Sequence, residues 1–104
     1  MEHSELYTLL ATINIPVAYG HFDVKQNVSP PFIVYRDLVP TTFKANNTIY
    51  YRPHEYEIEL VTEKKDVELQ NSIEELLTTN NIPYDISDEV WDEDEKIYHN
   101  FYEI

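Results

Sequence analysis

The stretch Glu55-Tyr56-Glu57-Ile58-Glu59-Leu60-Val61-Thr62 alternates charged and apolar side chains with a period of two. That is the pattern of a half-buried β-strand. Tyr56, Ile58 and Leu60 belong to one face, and Glu55, Glu57 and Glu59 to the other. A slip of one residue would bury three carboxylates, so the pairing of this strand is tightly specified. The remaining elements are what covers its apolar face and what flanks its edges.

Upstream, Leu6, Leu9, Leu10 and Ile13 recur at helical spacing. They predict a helix over about 4–13, capped by Ser4 and stopped at Asn14 before Ile15-Pro16. Residues 17–22 read as a short strand containing Gly20, the only glycine in the chain. Phe32 to Val39 reads as a strand buried on both faces, because its apolar start is nearly continuous. Residues 41–47 form a polar loop with Phe43 and Lys44. A flared arm over 48–52, ending in Arg52, leads into the opening strand.

Downstream, Asp66 starts a second helix whose apolar face is Leu69, Ile73, Leu76 and Leu77, with Val67 contributing at its start. Glu68, Glu74 and Glu75 face water in this reading. Asn80-Asn81 and Pro83 stop the helix. Residues 82–87 read as a strand, Asp92-Glu93-Asp94-Glu95 as a hairpin turn, and residues 96–104 as the last strand. The order α-β-β-β-α-β-β predicts an α+β two-layer sandwich. Its sheet is mostly antiparallel, with two helices on one face.

At 104 residues the chain is a single domain, 1–104. Seven basic against twenty acidic residues leave a formal charge of −13. That balance disfavours nucleic-acid binding and docking on anionic membranes. There is no cysteine, hence neither a disulfide nor a thiolate metal site. No apolar run approaches the roughly 20 residues of a membrane span, and the N-terminus lacks the features of a signal peptide. A soluble cytosolic protein is expected.

Phosphate loops and nucleophile elbows need several glycines, and the four histidines lie on separate elements. No catalytic, cofactor or metal residue is therefore assigned, and an enzyme is not expected. Residues 85–95 carry seven acids and no base. They lack the central glycine of a calcium loop and read as a solvated hairpin. Within it Trp91 has two readings, an edge residue folding back on the core or an interface anchor.

Three sets of segments carry a resemblance. They are Leu6-Tyr7-Thr8-Leu9-Leu10 with Val17-Ala18-Tyr19-Gly20, then Tyr50-Tyr51-Arg52 with residues 56–66, and Ile82-Pro83-Tyr84-Asp85 with residues 96–104. Together they are similar to the small tail-completion, or tail-terminator, proteins of long-tailed phages and prophages. The resemblance implies an α+β fold and a ring, commonly six-fold, that caps the tail tube and joins it to the head connector. It implies a place in the virion neck after assembly and in the host cytoplasm before it. No functional residue carries over, because the matching residues are structural in type.

The interface expected from the residues themselves comprises Phe43, Lys44 and Arg52 on the arm, Glu55, Glu57 and Glu59 on the open sheet face, and Trp91. A reading from a different class is a small acidic DNA mimic that inhibits a nucleic-acid-binding enzyme, since carboxylates can stand in for phosphates at a basic groove.

Overall fold

The computed structural model describes residues 1–23, 26–38 and 54–104. The expected arm, with Phe43, Lys44 and Arg52, lies outside the described residues. So does the expected end of the second strand at Val39.

The elements in order are α1 (His3–Ala11), β1 (Val17–Tyr19), β2 (Phe32–Asp37), β3 (Tyr56–Thr62), α2 (Val67–Thr79), β4 (Asp85–Asp92) and β5 (Ile97–Glu103). The five described strands form one sheet in the order β1-β2-β3-β5-β4. Among them β1 and β2 pair in parallel and the other three pairs are antiparallel. This is the expected α+β sandwich. Both helices lie on one face of the sheet. Leu6 and Leu10 of α1 and Ile73 and Leu77 of α2 share a single core with Ile33, Tyr35, Ile58, Leu60 and Tyr102.

The alternation in β3 is realised as written. Tyr56, Ile58 and Leu60 are buried in that core. β2 is buried on both faces at Ile33, Val34 and Tyr35, as its continuous apolar run requires. In β5, Asn100, Tyr102 and Ile104 face the core, and His99 and Phe101 share the opposite face with Glu59 and Val61.

α1 begins one residue before Ser4. Glu2 occupies the cap position, and its backbone N–H donates to the Glu5 carboxylate at 3.4 Å. The helix stops at Ala11, and Asn14 turns the chain with a φ of 70°. Asn tolerates that conformation better than other side chains do. β1 is shorter than expected because Gly20 adopts a φ of 77° and leaves the strand there. Its N–H still donates to the Tyr35 carbonyl at 2.8 Å.

The Asp66 side chain accepts from the Leu69 N–H at 3.1 Å and so caps α2. Val67 is 55% exposed and takes no part in the core. Glu74 does not simply face water. Its carboxylate accepts from the Tyr102 hydroxyl at 2.9 Å. Burial first, and this carboxylate second, push the Tyr102 pKa well above the usual tyrosine value.

The fourth strand differs most from expectation. It runs over Asp85–Asp92 rather than 82–87, so the acidic stretch is itself a strand. A bulge between Ile86 and Asp88 adds Ser87 and reverses the alternation that would have marked it. The turn lies one residue later than expected, over 93–96, with Asp92 Oδ1 accepting from the N–H groups of Asp94 and Glu95 at 3.0 and 3.2 Å.

Candidate interaction surface

The sheet face away from the helices carries a polar cluster at its centre. Register sets Arg36 opposite Glu57, and Val34 opposite Glu59. Glu59 therefore lies diagonal to Arg36, within reach of a long side chain. Arg36 donates to Glu57 at 2.6 Å and to Glu59 at 2.9 Å. The second oxygen of Glu59 faces His99 Nδ1. A carboxylate only accepts, so Nδ1 carries the proton in that pair.

Burial disfavours the charge on Arg36. Its hydrogen bonds to Glu59 and Glu57 outweigh that effect and hold its pKa above the usual value.

Beside this cluster is an open groove of about 480 Å³. Val90, Trp91 and Phe101 supply its apolar lining, and Glu59, Asp92, Glu93 and His99 its polar one. The outer wall belongs to β4, which pairs only with β5 among the described strands. Ile86, Val90 and Trp91 on this strand are 61%, 41% and 43% exposed. Trp91 lies opposite Tyr98, with ring centroids 4.6 Å apart. Trp91 packs on Tyr98 rather than folding back on the core, and its side chain stays open to solvent.

Three contacts brace this edge. His54 Nε2 donates to Asp85 at 2.6 Å, tying the approach to β3 to the start of β4. Lys65 pairs with Glu89. Asp92 holds the turn. At the opposite side of the sheet, His3 packs edge-on against Tyr19 and Tyr56, with centroids 4.9 and 5.3 Å away. It lies 3.3 Å from Asp37, which also accepts from the Tyr19 hydroxyl at 2.9 Å.

The expected interface residues are thus divided. Glu55 remains an exposed acid, with the Met1 ammonium 3.9 Å away. Glu57 and Glu59 are on the expected face but are half-buried and share the one cation of Arg36. Trp91 lies some distance along the sheet order, on the outer strand. Phe43, Lys44 and Arg52 lie outside the described residues.

Arg36, His99 and Val90 were not singled out from sequence. Arg36 is the only base within a predicted strand of apolar residues, and His99 alternates in phase with Phe101. Those two signals point to the cluster once the strand register is known.

Among the described residues no group of three or more histidines and carboxylates is arranged to hold a metal ion. Both oxygens of Glu59 are engaged, one by Arg36 and one by His99. The groove beside it presents exposed aromatic area and negative charge. No protein-family model matches the chain, and no curated protein or solved structure matches it either.

Proposed function

We propose that the protein is a structural assembly subunit of the tail-terminator type. In this reading it forms a ring that caps the tail tube of a long-tailed phage or prophage and joins it to the head connector. It catalyses nothing itself.

One observation carries the reading: among the described strands, the two edges of the sheet are unlike. One is the three-residue β1, and the other is the eight-residue, exposed and acidic β4. A closed ring requires a heterologous contact in which two different patches meet. A sheet with one open face and two dissimilar edges supplies such patches. The resemblance of the sequence to tail-completion proteins points the same way.

Within the ring the arm bearing Phe43, Lys44 and Arg52 supplies the cationic patch. Because Glu57 and Glu59 are already held by Arg36, the acids it meets are Glu55 and those of the 85–95 hairpin. A charge of −13 per subunit opposes association, so assembly increases with salt or on a tail-tube template.

Analytical ultracentrifugation at low and high salt, with and without tail tubes, tests this. The parent is expected to form a closed oligomer, and a Phe43→Ala/Lys44→Glu variant to remain monomeric. A parent monomeric under every condition ends the reading.

The acidic row along β4 supports a second reading, a DNA mimic that occupies the basic groove of a nucleic-acid enzyme. A one-to-one complex with such an enzyme, lost steeply with salt, distinguishes it from a ring.

A further inference from the structure

β4 is an outer strand with all but its last residue exposed, and among the described strands only β5 pairs with it. Its outward N–H and C=O groups form a template for another extended chain, although the Glu89 N–H already donates to the Asp88 carboxylate at 2.8 Å. The groove of about 480 Å³ runs beside it, with Val90, Trp91 and Phe101 in its walls. Bare edges of this length are a liability that proteins blunt with charge and bulges. Both devices are present here, and they select among possible occupants.

Strand register sets Asp85, Asp88, Val90 and Asp92 on the open-face side of β4 and Ile86, Glu89 and Trp91 on the helix side. Two copies of this edge laid together would bring carboxylate rows against each other, which is destabilising. A second copy of β4 is therefore excluded by its own charge. A strand whose lysines or arginines alternate with aliphatic residues meets carboxylates on one side. On the other it meets Ile86 and the exposed ring of Trp91, to which a cation is also attracted.

We propose that the β4 edge binds an extended basic segment of another protein, which adds to the sheet as a strand. This does not depend on whether the chain forms rings.

The probe is the peptide acetyl-Lys-Val-Lys-Leu-Lys-Val-Lys-amide. Trp91 is the only tryptophan in the chain, so its emission reports the site directly. Titration of the full chain is expected to give a saturable change in that emission, weakened by salt, with slowed amide exchange along β4.

The decisive comparison is the same peptide with alternate amides N-methylated. It keeps every charge and side chain but cannot complete a ladder, and it is expected to bind at least about tenfold more weakly, a difference of about 1.4 kcal/mol. The Asp88→Lys/Glu93→Lys variant is expected to lose about as much. Glu68→Lys/Glu75→Lys on α2 changes the net charge equally and is expected to keep most of the affinity. Both pairs are exposed positions, and melting curves confirm that the variants fold.

Failure of the peptide to bind overturns the proposal. Equal binding of the N-methylated peptide overturns it as well, since attraction would then be electrostatic without strand addition. Equal losses in the two charge variants overturn the placement on β4.

Discussion

At the level of single residues, Arg36 shows how position decides what an ion pair contributes. Lys65 and Glu89 pair in the open, where such contacts are worth little. Arg36 joins two carboxylates that are both mostly covered. Arg36→Leu leaves those acids half-buried without a cation. It is expected to cost about 1–2 kcal/mol, a figure already reduced because Arg36 is itself 34% exposed. Lys65→Ala is expected to cost less than about 0.5 kcal/mol. Urea midpoints of the two variants check the order. Gly20 gives a second case. Space for a Cβ exists there, so the cost of Gly20→Ala is conformational only, about 1 kcal/mol, with Gly20→Asn costing less. Tyr102 gives a third. Its pKa is raised in the folded state by burial and by Glu74, whereas an unfolded tyrosine ionises near about 10. The stabilisation is whole below that value and is lost as pH rises beyond it, since the unfolded chain then sheds its proton first. Tyr35 and Tyr56, also raised mainly by burial, act in the same direction. Denaturation followed from neutral pH to above about pH 10 should show falling stability, with a shallower fall in Tyr102→Phe.

Among the elements, α2 is held by its cap and its buried stripe. Asp66→Ala should cost about 1 kcal/mol. Ile73→Ala should cost about 2–5 kcal/mol, because Ile73 is wholly buried. Val67→Ala should be nearly neutral, and thermal melts of the three variants read the ranking directly. The elements legible in sequence are those whose burial leaves a pattern, an unbroken apolar run in β2 and a period elsewhere. The periods of β3, β5 and α2 are each recorded by burial on one side. β4 has no buried face to write an alternation, and its bulge at Ser87 breaks the one it has. The site was legible only in part for a related reason. Glu57, Glu59 and Trp91 could be assigned to faces from their own strands. Their partners come from β2 and β5, 21, 23 and 40 residues away for the pairs with Arg36 and His99, and only the register reveals them.

For the whole molecule, charge governs encounter. With −13 spread over one small domain, duplex DNA should not bind at physiological salt, and a gel shift at micromolar protein would contradict that expectation. The sheet also has a consequence for synthesis. β5, last in chain order, lies between β3 and β4 in space. A nascent chain released only as far as residue 96 therefore holds β3 with one side unpaired and β4 with no partner at all. Tyr102 is still absent from the core. β4 can join the sheet only once β5 has been delivered, so products stalled before residue 97 should be protease-sensitive at residues 85–96. Quality control could then tell a stalled product from a finished domain by that one acidic segment.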